Sequence, residues 1–243
     1  MGTDEMLNLN QRVAVVTGSV GNLGAATARV LAALGARLAL VDRSQSRLEA
    51  AYPEWSGGTD HLLVGDVDLT SHASIRSMID RVVERFDRVD ILVNTVGGFR
   101  GGKPLHEADP ADWDAMFAVN VRTTADACRA VVPQMIQQGS GRIVNVASRA
   151  ARRGEAGLSA YCAAKAAVVR LTESLSEELK TSGINVNCVL PGTIDTPQNR
   201  KASPEADPSA WVTPEAIADV IAFLASDAAR AIHGAAVPIY GTG

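Results

Sequence analysis

Residues Arg12-Val13-Ala14-Val15-Val16-Thr17-Gly18-Ser19-Val20-Gly21-Asn22-Leu23-Gly24 carry the pattern on which the fold turns. A valine-rich run, Arg12–Thr17, ends directly in glycines, and a segment of helical periodicity follows as far as Gly35. A strand entering a helix through glycines brings bare backbone amides to one point. Glycine has no Cβ to hold a ligand off, and the first amides of a helix lack intrahelical acceptors. Such a turn cradles a pyrophosphate, although taken alone it is equally an ordinary tight turn. Eighteen residues after Gly24, at the end of a second apolar run, Arg37–Val41, stands Asp42. An acidic side chain about 20 residues on is where the ribose hydroxyl of a dinucleotide is received. Together they predict a dinucleotide site.

The same punctuation continues outward. Apolar runs recur at His61–Gly65, Asp90–Asn94, Arg142–Ala147, Ile184–Leu190 and Ala236–Tyr240, with helical segments between them. Near-continuous apolar strands alternating with helices imply a parallel sheet covered on both faces. The expected fold is α/β: a doubly wound, seven-stranded parallel sheet of Rossmann type, forming one domain over residues 1–243. Asp109-Pro110 and Thr213-Pro214-Glu215 read as helix starts, each a capping side chain before a proline. The stretch Pro191–Val212, with four prolines and one glycine at Pro191, Gly192, Pro197, Pro204 and Pro208, reads as irregular. It follows a strand, at the sheet edge where open α/β folds bind ligands, so it is a candidate substrate lid. An ordinary long connection is the alternative.

Composition excludes several classes. With 47% hydrophobic residues, 21% charged residues and a net charge of -4, the chain has core material but no basic tract for phosphate neutralisation, so no nucleic-acid partner is expected. The run Val30–Val41 is interrupted by Arg37 and is too short to span a bilayer. Met1–Met6 shows no secretory signal, and Met6 stands where a myristoylation signal wants Ser or Thr. Cys128, Cys162 and Cys188 are widely spaced and odd in number, which fits buried thiols in a reducing compartment. His61, His72, His106 and His233 show no ligand spacing, and no metal is expected. A cytoplasmic protein without membrane attachment is the expectation.

Thr17-Gly18-x-x-x-Asn22-x-Gly24 resembles the Thr-Gly-x-x-x-Gly-x-Gly cofactor motif of the short-chain dehydrogenase/reductase family, with Asn22 in place of the middle glycine. Asn tolerates a left-handed backbone best after glycine, so the turn is expected to survive the change. Asp66-Val67 resembles the family's acidic adenine contact. Asn94-Thr95-Val96-Gly97 is similar to its Asn-Asn-Ala-Gly run, and Pro191-Gly192-Thr193-Ile194-Asp195-Thr196 to the loop that closes on the nicotinamide carboxamide. The resemblance implies a cofactor set of Gly18, Asn22, Leu23, Gly24, Asp42, Arg43, Asp66, Val67, Asn94, Gly97, Tyr161, Lys165, Pro191, Ile194 and Thr196. A carboxylate at 42 accepts two hydroxyls and repels a 2′-phosphate, which favours NAD(H); the adjacent Arg43 is able to meet such a phosphate.

Tyr161 and Lys165 stand at i and i+4 on one helix face, continued by Val168, Thr172, Leu175 and Leu179. By itself that spacing describes an amphipathic helix with a snorkelling lysine. Ser148, at the end of the run Arg142–Ala147, and Asn120 in the preceding helix change the balance. The four resemble the family's catalytic tetrad Asn120, Ser148, Tyr161 and Lys165. A phenol near pKa 10 exchanges protons poorly at neutrality unless a neighbouring cation stabilises the phenolate. Lys165 is expected to lower Tyr161 and to hold the nicotinamide ribose. Ser148 is expected to hold the substrate oxygen, and Asn120 a relay water.

At the substrate end lie Phe99, Arg100, Lys103, Arg149, Arg152, Arg153, Arg200 and Lys201. They either draw in an anionic substrate or are solvated loop charge. The run Asp195–Trp211, with Gly97–Gly102, is similar to the lid and glycine-rich turn of dihydropteridine reductases, whereas Ser148 resembles the alcohol dehydrogenase and ketoreductase branch. Phe99, Ser148, Tyr161 and Trp211 are the expected substrate contacts, with Phe99 and Trp211 accepting a ring. The expected activity is NAD(H)-dependent interconversion of a secondary alcohol and a ketone. Reduction of a quinonoid pterin, reduction of a 3-oxoacyl thioester, and a non-catalytic dinucleotide sensor are the alternatives. The family implies a homo-oligomer, a tetramer or dimer.

Overall fold

The computed structural model describes residues 7–241. The readings made at Met1–Met6, and the domain limit at Gly243, lie outside the described residues. Seven strands form one sheet in the order β3-β2-β1-β4-β5-β6-β7, every neighbouring pair parallel. They are β1 Val13–Thr17, β2 Arg37–Val41, β3 His61–Val64, β4 Ile91–Asn94, β5 Gly141–Val146, β6 Ile184–Pro191 and β7 Ala236–Ile239. This is the doubly wound Rossmann-type architecture that the alternating pattern implies. β6 runs one residue beyond the expected Leu190 and takes in Pro191 opposite Ile239; the bond to Ile239 O comes from Gly192 N at 2.8 Å, so proline's missing amide costs the ladder nothing there.

The helices are α1 Asn22–Ala33, α2 Gln45–Ala51, α3 His72–Phe86, α4 Ala111–Phe117, α5 Thr123–Gln138, α6 Ser159–Leu179, α7 Pro197–Ala202 and α8 Pro214–Ala225. They cover both faces of the sheet. On one face Leu31 of α1, Leu48 of α2 and Ile217 and Ile221 of α8 pack on Ala14, Leu38 and Val144. On the other, Ile75 and Val82 of α3, Val131 and Met135 of α5 and Leu179 of α6 pack on Val15, Ala39 and Ile143. Both sides of each central strand are therefore buried, which is why the strands read as continuous apolar runs rather than alternating ones.

Register positions the site. Thr17 pairs with Val41 on one side and Asn94 on the other, Asn94 with Asn145, and Asn145 with Cys188. The residues that follow these positions all emerge along one carboxyl edge, on either side of the reversal between β1 and β4 where such folds bind ligands.

Pro191–Val212 is not the irregular chain that its prolines suggest. Pro197 occupies the first turn of α7, where its fixed φ suits a helix, and the Thr196 hydroxyl caps it by accepting from Asn199 N at 3.2 Å. A short 3-10 turn, Pro208–Ala210, follows under an Asp207 cap. Thr213 caps α8 through Ala216 N at 3.2 Å, and Asp109 accepts from Ala111 N at 2.9 Å, both as their sequences imply.

Candidate active site

The glycine-rich turn is built by close approach. Gly18 adopts φ +67°, and a Cβ there would meet Val96 at 2.9 Å; one on Gly24 would lie 2.2 Å from the Gly18 carbonyl oxygen. Only glycine lets α1 seat so near the end of β1. Asn22 needs no left-handed backbone: the non-glycine residues with positive φ are Gln11, Asp66 and Asp87 among those described. It is instead the first residue of α1, exposed, and Nδ2 donates to Gln198 Oε1 at 2.9 Å. Leu23 is buried in the core.

A cleft of about 450 Å³ opens beside this turn. Gly18, Gly21, Asp42, Arg43, Val67 and Gly97 stand on its walls, bringing together residues that are far apart in sequence. A second hollow, about 550 Å³ between α3 and α5, contains none of the expected site residues. Asp42 accepts from Arg43 N at 2.9 Å and has Arg47 Nη1 at 3.7 Å. Asp66 does not line the cleft: held at φ +59°, it is exposed and accepts from Gln45 N at 3.4 Å, while Asp68 takes the wall position. Asn94 is also set back. Its Nδ2 donates to Asn145 Oδ1 at 2.9 Å inside the sheet, so it joins β4 to β5 behind the site. Among the wall residues that escape the sequence reading are Arg47, Asp68 and Thr95, whose hydroxyl donates to Thr17 O at 2.6 Å. Arg47 lies five residues past Asp42 in the next helix, which is the one signal that marked it.

Tyr161 and Lys165 share the inward face of α6, with Val168 and Thr172 buried below them. Lys165 is 5% exposed, and Nζ donates to Val146 O at 3.0 Å. Burial pushes its pKa down to about 8. Asn120 lies in a π turn, Ala118–Arg122, between α4 and α5. It pairs with the backbone of Gly98 in both directions, Nδ2 to Gly98 O at 3.0 Å and Gly98 N to Oδ1 at 3.1 Å. A Cβ on Gly97 would sit 3.0 Å from Asn120 Oδ1 and 3.2 Å from Lys165 Nζ. Asn120, Gly97 and Lys165 therefore meet at one point.

Ser148 starts the turn Arg149–Ala151, accepting from Ala150 N at 3.2 Å, and its hydroxyl meets the Tyr161 phenol. Burial raises the Tyr161 pKa, and the Ser148 hydroxyl offsets this in part. Lys165, expected from the sequence to lower it, is not among the groups that shift Tyr161: its ammonium is turned to Val146 O. Phe99, 63% exposed, packs edge-on against Tyr161 with ring centroids 5.0 Å apart. Trp211 makes no ring contact with either among the described residues. Ile194 is half-buried and bridges to Val212, and the Thr196 oxygen is engaged in capping α7. Arg100 and Arg200 are paired with Asp112 and Asp195, which leaves them less free to draw in an anion. No helix is long and apolar enough to cross a membrane, and no cluster of metal-binding side chains occurs, among the described residues.

This is the geometry of a nucleotide-dependent oxidoreductase, and comparison with known proteins agrees. The family model for short chain dehydrogenase matches residues 12–207. The chain belongs to the short-chain dehydrogenase/reductase family. It is similar to cis-4-hydroxycyclohexanecarboxylate dehydrogenase of Sinomonas cyclohexanicum, 38% identical over 95% of this chain and 96% of that one. It is also similar to 3-oxoacyl-[acyl-carrier-protein] reductase FabG of Thermotoga maritima, 34% identical over 97% and 98%. The crystal structure of NAD+-bound xylitol dehydrogenase superposes with a TM-score of 0.87 at 30% identity, covering 96% of this chain and 99% of that one. As a member of this family the protein is an oxidoreductase that uses a nicotinamide dinucleotide on a small-molecule substrate.

Proposed function

We propose that the protein is an NAD(H)-dependent oxidoreductase interconverting a secondary alcohol and a ketone, with Tyr161 as acid/base. The observation that carries this reading is the Tyr161 phenol against the Ser148 hydroxyl, on the helix face whose next turn buries Lys165 beside Gly97. The glycine cradle fits a pyrophosphate, and the Asp42 carboxylate at the far end of the cleft fits two ribose hydroxyls. When bound, the nicotinamide supplies or accepts the hydride. In the reducing direction Tyr161 donates its proton to the carbonyl oxygen, and Ser148 holds that oxygen by donating a hydrogen bond. Lys165 holds the nicotinamide ribose, and its charge favours the phenolate form once the phenol has given up its proton. Asn120, anchored on Gly98, keeps a water in line between Lys165 and solvent.

Pro191–Val212 acts as a lid over the reacting ring, shutting out water. We assign a ring-bearing substrate. Phe99 presents its exposed face beside Tyr161, and one relative is named for a hydroxycyclohexanecarboxylate. A 3-oxoacyl thioester is the second reading, favoured by the likeness to an acyl-carrier-protein reductase. The assembly is a homo-oligomer, a dimer or tetramer, in the cytoplasm.

The test is a panel of cyclic, aryl and short aliphatic alcohols and ketones, with a 3-oxoacyl thioester and quinonoid pterin, each assayed with NADH and NADPH. Cyclic or aryl substrates with NADH should give the highest kcat/KM, and Phe99→Ala should raise KM for them more than for short ones. Tyr161→Phe should cut turnover by roughly 100-fold or more while leaving NADH binding within a few-fold. A preference for NADPH, or an active phenylalanine variant, overturns the assignment.

A further inference from the structure

Asn22 is where the glycine-rich turn departs from the family pattern, and the structure gives the departure a partner. Glycine at this position has no side chain to offer, whereas Asn22 Nδ2 donates to Gln198 Oε1 at 2.9 Å. Gln198 lies in the first turn of α7, the helix of the proposed lid. The base of that lid is closed on itself: Val212 N donates to Thr193 O at 3.0 Å and Asp195 N to Val212 O at 2.8 Å. Within the lid Asn199 Nδ2 donates to Ile194 O at 2.8 Å, Arg200 pairs with Asp195, and the Ser209 hydroxyl donates to Asp207. Among the described residues, Gln198 to Asn22 is the one hydrogen bond that leaves the 193–212 stretch for the chain outside it. The segment is thus pinned at its base and tethered through the first turn of α7 by one side-chain bond, whose other end is the turn that fits a pyrophosphate.

We propose that Asn22 and Gln198 form a latch, so that the dinucleotide leaves only when this bond opens. The proposal rests on the reading of Pro191–Val212 as a lid. Both partners are positioning residues, since neither meets the reacting atoms. A neutral, exposed hydrogen bond sits at the weak end of its range, so its loss corresponds to about a 2- to 5-fold faster release. Where release limits turnover, kcat rises by the same factor and KM for the dinucleotide rises with it.

The experiment compares the full-length wild type with Asn22→Gly, Gln198→Ala, the double variant and Gln198→Glu, reading NADH release by stopped-flow fluorescence. Proteolysis of the 197–211 stretch in the wild type, with and without NADH, runs alongside. Each of the first two variants should release NADH 2- to 5-fold faster, the double no faster than either, and Gln198→Glu, which keeps the accepting oxygen, at the wild-type rate. Asn22→Gly also loosens the start of α1, so Gln198→Ala decides. Unchanged release in Gln198→Ala, multiplying effects in the double variant, or a Gln198→Glu variant as fast as the alanine overturns the latch even if NADH protects the lid. No protection of the wild-type lid by NADH overturns the lid reading, and the latch with it.

Discussion

Lys165 is a buried ammonium whose hydrogen bond goes to a neutral carbonyl, that of Val146 at 3.0 Å, and this is why its pKa falls from 10.5 to about 8. The depressed value has a consequence for stability. Between about pH 8 and 10.5 the unfolded chain holds the lysine proton and the folded one sheds it, so stability rises with pH through that window; below it both forms are protonated and the cost is constant. Urea midpoints of the wild type, measured from pH 7.5 to 9.5, should therefore climb relative to those of Lys165→Met, which lacks the proton altogether. Tyr161, raised by burial, predicts the kinetic counterpart: kcat/KM for alcohol oxidation should increase with pH through the alkaline range, because the phenolate is the base. A flat profile in a pH-rate series would count against Tyr161. At the other end of the cleft, Asp42 stands between Arg43 and Arg47. Asp42→Ser should weaken NADH and leave two arginines facing a 2′-phosphate, shifting the NADH:NADPH ratio of kcat/KM by at least about 10-fold toward NADPH.

At the scale of elements, α1 and α6 do most to assemble the site, and they were legible to different degrees. The turn into α1 is readable because glycines there have a local reason: the backbone must approach itself. Gly24→Ala would place a methyl 2.2 Å from the Gly18 carbonyl oxygen, backbone against backbone, so α1 must shift off the turn. The expected result is at least about a 10-fold loss of NADH affinity by fluorescence titration, with a lowered Tm. α6 shows its buried face through the spacing of Tyr161, Lys165, Val168 and Thr172, but nothing local reveals that Lys165 turns to Val146 O. The proposed lid misled in the opposite sense. Its prolines read as breaks, yet Pro197 behind Thr196 begins a helix, because proline at the first turn loses no hydrogen bond.

The whole molecule divides its work between the two edges of the sheet. The carboxyl edge carries the cleft; the amino edge carries a structural ion cluster at Asp90, which is 1% exposed. Its carboxylate takes two hydrogen bonds from Arg88, at 2.7 and 2.6 Å, and one from Val13 N at 2.8 Å, with Arg12 at 3.7 Å. Removing it leaves a buried amide without its partner, and Arg88 without its counter-charge. Asp90→Ala should cost about 3 kcal/mol in a urea titration while the KM values of the remaining folded enzyme stay within about 2-fold, since the cleft lies at the far ends of the same strands. A matching loss of affinity for NADH would show that the two edges are not separable.

Features that depend on local chain geometry could be read from the residues alone: seven apolar runs set by burial on both faces, glycines where backbone meets backbone, and the i, i+4 pair Tyr161 and Lys165. They follow from short-range sterics and side-chain period, which neighbouring residues already specify. Asp66 against Asp68, the withdrawal of Asn94 into the sheet, and the bond from Asn22 to Gln198 depend on something else. Each is a choice of which of several suitable groups faces the cleft. That choice is made by strand register and helix docking across as many as 176 positions of sequence separation, where no local pattern carries the information.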